Sequence, residues 1–143
     1  MLAREKSIVI DLFCGQLATF LTCMNCRTER VTFESTWALS LALKERKYSQ
    51  LTLEQLLGNF CKDETCSDSS PICGKCRNNT TIQTRTIMWR MPEILIITFK
   101  RSQQSMQSYE KDNTSLIYPL RLYMSRFCRE SGNISMILLN YCN

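Results

Sequence analysis

The sequence has 143 residues, 44% of them hydrophobic, and its 18 lysines and arginines against 13 aspartates and glutamates give a net charge of +5. These values predict one globular domain with an ordinary apolar core. No apolar run reaches the roughly 20 residues of a membrane span, and the charged residues among the first twenty argue against a secretory signal. We therefore expect a cytoplasmic protein, with the nucleus as the alternative. Histidine is absent, so the chain lacks the imidazole that cysteine and serine hydrolases normally use as a base.

The first part of the chain is rich in strand signals. Residues Ser7 to Phe13 form a short apolar segment that fits either a helical turn or a strand, and periodicity does not decide between them. Residues Leu17 to Thr22 lead into a first pair of cysteines. From Val31 to Leu43 the apolar side chains fall on odd positions, which predicts one long half-buried strand followed by a charged turn at residues 44–47.

A short helix is predicted next. Thr52 and Gln55 have the spacing of a capping box, and leucines and a phenylalanine recur at helical spacing as far as Phe60. The polar, acidic stretch from Lys62 to Pro71 then predicts a solvated loop.

The second half of the chain again favours strands. We expect a strand at Ile82 to Trp89 and a central strand at Ile94 to Phe99, followed by a polar loop from Ser102 to Ser115. Residues Leu116 to Leu122, around Pro119, are expected to form an edge strand or an extended segment, and Ile134 to Tyr141 a last strand. Both tryptophans, Trp37 and Trp89, lie in strand patterns and are expected in the core.

Two CxxC pairs carry the strongest chemical signal. They are Cys23 with Cys26 and Cys73 with Cys76, and four such thiolates form the usual tetrahedral site of a structural zinc ion. A redox pair or coincidence is the alternative. The 46 residues between the pairs exceed the roughly 15 to 20 of a compact zinc ribbon. The metal is therefore expected to join the two ends of the long segment between the pairs.

The remaining charges and cysteines fit this hypothesis. Four thiolates around Zn²⁺ carry a charge of −2, which Arg27 and Lys75, each beside a ligand, are placed to compensate. Losing four protons and gaining one dication lowers the formal charge from +5 to +3 (5 − 4 + 2). The other five cysteines are expected to be free buried thiols rather than a disulfide framework: Cys14, Cys61, Cys66, Cys128 and Cys142.

Several motifs together resemble the middle of the ubiquitin-specific protease catalytic domain. Besides the two CxxC pairs and the leucines of the capped helix, they are the segments Ser7 to Gln16, Phe33-Glu34, Leu39 to Leu41, and Met91 to Arg101. The resemblance implies an α+β fold: mainly antiparallel zinc-finger "fingers", plus part of the palm sheet of a papain-like cysteine peptidase hand, with one or two short helices.

The resemblance also implies roles for particular residues. In that family two CxxC pairs join around a structural zinc at the fingertips, which here means Cys23, Cys26, Cys73 and Cys76. The fingers of the family hold ubiquitin, and Glu34 matches a position that often carries a carboxylate facing the basic tail of ubiquitin. Glu34 lies on the even face of the predicted long strand, which we expect to point away from the core. The alternative for Glu34 is an ordinary solvated charge.

The family's catalytic boxes have no match here. Nothing before Ser7 resembles the nucleophile box, and the sequence reaches Cys142 about where the family's histidine would follow. We therefore expect residues 1–143 to be a partial catalytic domain, fingers and incomplete palm, with no catalytic residue of its own. Cys14 lies in an apolar segment without a basic partner and is interpreted as a small buried hydrophobe.

The expected function is that of a segment or truncated member of the ubiquitin-specific proteases, which grips ubiquitin through a zinc-stapled scaffold and does not hydrolyse conjugates alone. A pseudoenzyme that binds ubiquitin is an alternative. A zinc-stabilised nucleic-acid binder is less expected, because the lysines and arginines are scattered and the acidic loop repels phosphate.

Overall fold

The computed structural model describes residues 7–43, 50–66, 71–104, 109–111, 113–129 and 135–137. Within them lie two α-helices, α1 (Ile8–Phe13) and α2 (Leu53–Phe60), and a 3-10 turn at Met124–Arg126. The strands are β1 (Gly15–Cys23), β2 (Glu29–Thr36), β3 (Ala38–Ala42), β4 (Gln50–Thr52), β5 (Glu64–Cys66), β6 (Ile82–Arg90), β7 (Ile96–Lys100), β8 (Ser102–Gln104), β9 (Tyr109–Lys111), β10 (Ser115–Ile117), β11 (Arg121–Tyr123) and β12 (Ser135–Ile137). The expected α+β class is confirmed. Neither described helix has the length and apolar character needed to cross a bilayer.

The largest sheet, which we call the finger sheet, has the strand order β2-β1-β6-β5 and is antiparallel throughout. Its two long strands, β1 and β6, have nine residues each, so the sheet extends for about 30 Å. In its register Cys23 at the end of β1 lies opposite Ile82 at the start of β6. The finger sheet therefore brings the two CxxC pairs to the same end.

The long strand predicted from Val31 to Leu43 is wrong, because the chain divides at Trp37 into strands of two different sheets. β2 pairs antiparallel with β1, whereas β3 pairs in parallel with β7. The odd-position leucines Leu39, Leu41 and Leu43 are buried, but Trp37 is 48% exposed. The core position expected for Trp37 is thus also wrong. An uninterrupted period of two does not reveal a change of sheet, since the alternation continues on both sides of the bend.

Helix α2 follows the prediction closely. The hydroxyl of Thr52 accepts a hydrogen bond from the backbone N–H of Gln55 at 3.2 Å, and Oε1 of Gln55 accepts one from the backbone N–H of Thr52 at 2.9 Å. This reciprocal pair satisfies two N–H groups that the helix leaves free. The apolar face of the helix then buries its leucines among those of β3 and β4, together with Met88, Leu95, Leu122 and Met124.

Strand β7 does not have the fully buried environment expected of a central strand. Ile96, Thr98 and Lys100 are exposed, whereas Ile97 and Phe99 pack against the core. Among the described strands β7 pairs with β3 alone. One of its faces is therefore covered and the other is open.

The other predicted elements have mixed outcomes. Residues 7–13 form a helix, α1, whose Leu12 carbonyl accepts a hydrogen bond from the Ile94 N–H at 2.8 Å. The predicted loops 62–71 and 102–115 are partly wrong, because the first contains β5 and the second contains the β8–β9 pair. The segment predicted from Leu116 to Leu122 is extended only in part, because it divides into β10 and β11, which pair with different strands. The turn at 44–47 lies outside the described residues, as does the strand predicted at 134–141 except for β12.

Candidate metal centre

The first CxxC pair forms the tight turn between β1 and β2. The backbone N–H of Cys26 points at Sγ of Cys23 at 3.5 Å, and the N–H of Arg27 donates to the carbonyl of Cys23 at 2.9 Å. The turn closes through Arg27, which adopts a left-handed backbone conformation with φ of 58°. The turn aims both sulfurs to the same side of the chain.

The second pair repeats this geometry just before β6. The N–H of Arg77 donates to the carbonyl of Cys73 at 2.8 Å, and Arg77 has φ of 55°. Left-handed backbone is costly for residues other than glycine. Its occurrence after the second cysteine of both pairs shows that the turn geometry, rather than the identity of the following residue, determines the backbone there.

The two turns bring the four sulfurs into one cluster. All four Sγ atoms lie within 4.8 Å of one another. Two of the distances between the turns are 3.9 Å, from Cys23 to Cys76, and 3.8 Å, from Cys26 to Cys73. A backbone bond from the Met24 N–H to the Thr81 carbonyl, at 3.0 Å, joins the turns as well.

This donor set fits a tetrahedral zinc ion. A tetrahedron with Zn–S bonds of about 2.3 Å has edges of about 3.8 Å, which the two measured distances match. Cys23 and Cys73 are buried, and Cys26 and Cys76 are half-buried. None of the seven cysteines whose side chains the structure describes forms a disulfide bond, so the four sulfurs of the cluster are present as thiols or thiolates rather than as cystines. Four protein ligands fill a zinc coordination shell, which is the arrangement of a structural rather than a catalytic site.

The surroundings of the first CxxC pair favour thiolates, whereas the pKa of Cys73 in the second pair is raised. The N–H of Cys26, donating to Sγ, lowers the pKa of Cys23 from 9.0 to about 6. The Thr28 hydroxyl, 3.2 Å from Sγ of Cys26, lowers the pKa of that thiol. Hydrogen bonds to the charged form of an acid lower its pKa, and the thiolate is the form that binds metal.

Three side chains around the cluster were not identified from the sequence. They are Thr28, Thr80, whose hydroxyl lies 3.7 Å from Sγ of Cys23, and Asn25, whose amide Nδ2 donates to Sγ of Cys76 at 3.6 Å. Asn25 connects the first turn to a sulfur of the second. A signal was available for two of them, since Asn25 and Thr28 lie within two residues of a cysteine; Thr80 is brought in only by the fold.

The charges proposed to balance the thiolates lie on the surface. Arg27 and Lys75 are exposed, and the structure gives neither a bond to a cysteine sulfur. Nη1 of Arg27 lies 3.9 Å from Sδ of Met24. That these two residues compensate the cluster charge stays a prediction.

Glu34 is exposed on β2, but the face on which it lies differs from the expectation. In the register of the finger sheet Glu34 lies opposite Leu17, which in turn lies opposite Met88. Directly opposed residues share a face, and both Leu17 and Met88 pack in the core. The prediction that the even face of this strand points away from the core is thus wrong. Glu34 lies where the core-packed part of the finger sheet meets solvent.

Two further cysteines, Cys14 and Cys61, lie outside the cluster of four sulfurs. Burial raises the pKa of Cys61 from 9.0 to about 11, so it is protonated at neutral pH. Cys14 follows α1 and is half-buried, with Sγ 3.7 Å from the Gly15 carbonyl. Cys14 is therefore less buried than the small buried hydrophobe expected from the sequence.

Comparison with known proteins identifies the family. The profile "Ubiquitin carboxyl-terminal hydrolase" matches residues 1–138. The chain is 34% identical over 134 residues to human ubiquitin carboxyl-terminal hydrolase 2, covering 92% of this chain and 22% of that protein. To human ubiquitin carboxyl-terminal hydrolase 21 it is 31% identical over 147 residues, covering 99% and 26%. The chain thus spans about a quarter of the length of these relatives.

Solved structures agree with this assignment. The SAGA DUB module Ubp8/Sgf11/Sus1/Sgf73 bound to monoubiquitin matches with a TM-score of 0.79 at 25% identity, over 90% of this chain and 28% of that chain. A yeast SAGA DUB module structure matches with a TM-score of 0.79 at 24% identity, over 90% and 29%, and supports the fold. The resemblance seen in the sequence is confirmed: the chain belongs to the ubiquitin carboxyl-terminal hydrolase family, of the ubiquitin-specific protease type.

Proposed function

We propose that residues 1–143 form the zinc-bound fingers and an incomplete palm of a ubiquitin-specific protease catalytic domain, and that their function is to grip ubiquitin. The observation that carries the proposal is the cluster of four sulfurs at the end of the finger sheet. Zinc, bound by Cys23, Cys26, Cys73 and Cys76, supplies a cross-link between the two turns. A site of this kind contributes to folding rather than to chemistry.

Ubiquitin is proposed as the partner on two grounds. The family match covers nearly the whole chain, and a matching structure is described as bound to monoubiquitin. Glu34 supplies an exposed carboxylate beside the core-packed part of the finger sheet, a position from which it can meet a basic segment of a bound protein. The electrostatic contribution of one such exposed pair is small.

Hydrolysis is not proposed for this polypeptide alone. The family's reaction needs a thiolate nucleophile and a base, and the 143 residues contain no histidine. Hydrolysis of a conjugate would require a nucleophile and a base from outside these 143 residues. A cytoplasmic or nuclear setting belongs to the same proposal, because reduced thiols are required for zinc binding.

The test is a titration of isotope-labelled ubiquitin with the zinc-loaded chain, followed by NMR. We expect saturable shifts on one surface of ubiquitin. Glu34→Gln should weaken binding about threefold, the size expected for an exposed charge pair. Glu29→Gln is the matched control, because Glu29 is also exposed on β2 but lies five residues away, on the opposite face; it should bind like the unsubstituted chain.

The outcomes separate the parts of the proposal. No saturable binding of ubiquitin contradicts the grip itself, whereas equal effects of the two substitutions contradict only the role of Glu34. Turnover of a fluorogenic ubiquitin substrate by the purified chain contradicts the absence of autonomous catalysis.

A further inference from the structure

A β-bulge in the finger sheet forms a recess that the zinc site and the ubiquitin grip do not explain. Gln16 lies opposite Arg90, but the next residue, Leu17, lies opposite Met88, so Trp89 is an extra residue in β6. Bulges of this kind redirect side chains at the edges of sheets and near binding sites. Here the bulge places Trp89 and Arg90 along one recess of about 320 Å³, together with Gln16 and Arg129.

The backbone is fitted to this bulge. A Cβ atom on Gly15 would lie 2.9 Å from Cδ of Pro92 and 3.1 Å from the carbonyl of Arg90, closer than a side chain tolerates. Glycine therefore allows the strand before Gln16 to approach the bulge. The recess is a consequence of specific packing rather than of a loose strand end.

Arg129 is held over the recess from a different part of the chain. Its guanidinium carbon lies 3.7 Å from the centre of the Trp89 ring, a cation–π contact. Its backbone N–H donates to the Met88 carbonyl at 3.0 Å, and the Met88 N–H donates to the Phe127 carbonyl at 3.2 Å. Because both its backbone and its side chain are positioned, Arg129 loses little further freedom when it binds a ligand.

The recess is cationic. Among the residues that the structure describes, two guanidinium groups, an indole and an amide line it, without a carboxylate. In the part of the chain that the structure describes, neither Arg90 nor Arg129 makes an ion pair. A guanidinium binds a carboxylate or a phosphate through two parallel hydrogen bonds, so this lining is suited to an anion.

The neighbouring surface indicates a polypeptide rather than a nucleic acid. Phe33 is 49% exposed, and its ring centre lies 5.0 Å from that of Trp89 at an interplanar angle of 69°. Phe20 adds a second ring 6.4 Å from Trp89. Trp89 is half-buried beneath Arg129 and these rings, so it is not an open platform for base stacking. An exposed phenylalanine whose ring contacts the tryptophan of this cationic recess instead fits an acidic side chain with an apolar neighbour.

We propose that this recess, formed by Gln16, Trp89, Arg90 and Arg129, binds a carboxylate of an acidic polypeptide segment whose adjacent apolar residue packs on Phe33. The bound segment is a partner other than the ubiquitin tail, which is basic. The site does not depend on the proposed ubiquitin grip, since Phe33 and Glu34 are consecutive residues of a strand and lie on opposite faces of the finger sheet.

The test uses the full zinc-loaded chain carrying Trp37→Phe, so that fluorescence reports Trp89. The probe is a capped hexapeptide with two aspartates flanking a phenylalanine, compared with the same peptide carrying asparagines. We expect saturable quenching by the aspartate peptide at concentrations up to about 1 mM, and at least fivefold weaker binding of the asparagine peptide. R90Q and R129Q should each weaken binding about tenfold. R126Q is the matched control: Arg126 is exposed, three residues from Arg129 and outside the recess.

Three results overturn the proposal. The first is no saturable quenching by the aspartate peptide. The second is equal binding of the asparagine peptide, or an equal effect of R126Q. The third is quenching by inorganic phosphate, dependent on Arg90 and Arg129, in the absence of any quenching by the aspartate peptide. That result would identify the recess as a site for a free anion instead. Unchanged zinc content and circular dichroism of the variants exclude misfolding as the cause of lost binding.

Discussion

The clearest perturbation of the metal centre is Thr28→Val, which removes one hydroxyl and retains the shape of the side chain. That hydroxyl lies 3.2 Å from Sγ of Cys26. The backbone carbonyl of Thr28, which accepts the Cys23 N–H at 3.0 Å, is not affected. Groups that hydrogen-bond to metal ligands typically change metal affinity by about 10- to 100-fold. Because Thr28 is only half-buried and touches one of four sulfurs, we expect the lower end, a loss of about tenfold in zinc affinity.

The assay is competition for zinc with a chromophoric chelator at fixed pH and ionic strength. Thr32→Val is the matched control. It makes the same change on an exposed position of β2, where the hydroxyl donates to the Thr19 carbonyl at 3.5 Å. The control should bind zinc like the unsubstituted chain. If the two variants bind zinc equally well, the reasoning that the Thr28 hydroxyl stabilises the Cys26 thiolate is refuted.

Two further predictions test the core and the buried thiol. Leu57 in α2 is 1% exposed, and Leu57→Ala should destabilise the fold by about 2 to 5 kcal/mol and lower the melting temperature by roughly 10 °C. The same change at Leu120, which is 80% exposed, should have almost no effect on thermal unfolding. Similar shifts of the melting temperature for both variants would contradict the described packing. Cys61, whose pKa burial raises to about 11, should react with iodoacetamide at pH 8 about 100-fold more slowly than an ordinary thiol, because its thiolate fraction is about 100-fold lower. Mass spectrometry of the zinc-loaded chain measures this rate, and a rate equal to that of free cysteine contradicts the burial.

The sequence was sufficient to predict that the four cysteines of the two CxxC pairs cluster, because the geometry of each pair is local. Each CxxC pair fixes two sulfurs within one turn, and the requirement for four ligands then joins turns that are 46 residues apart. Helix α2 was equally accessible, since the capping box of Thr52 and Gln55 and the helical spacing of the leucines agree. In both cases the determining interactions lie within a few residues of one another.

The pairing of strands could not be predicted in this way. The alternation from Val31 to Leu43 is nearly perfect, yet β2 and β3 belong to different sheets because their partners, β1 and β7, lie elsewhere in the chain. The exposure of Trp37 at the bend follows from those partners. The bulge at Trp89 and the contact of Thr80 with Cys23 likewise depend on long-range register. Hydrophobic periodicity shows which side chains alternate, but not which strand covers them.

The central claim is that four sulfurs from two distant turns bind one structural metal ion. X-ray absorption at the zinc edge on the purified, metal-quantified chain tests it most directly. We predict one zinc per chain with four sulfur neighbours at about 2.3 Å. The account would be contradicted by a chain without stoichiometric zinc or by a coordination shell that contains nitrogen or oxygen in place of sulfur. Recovery of cysteines 23, 26, 73 and 76 as disulfides would also contradict it.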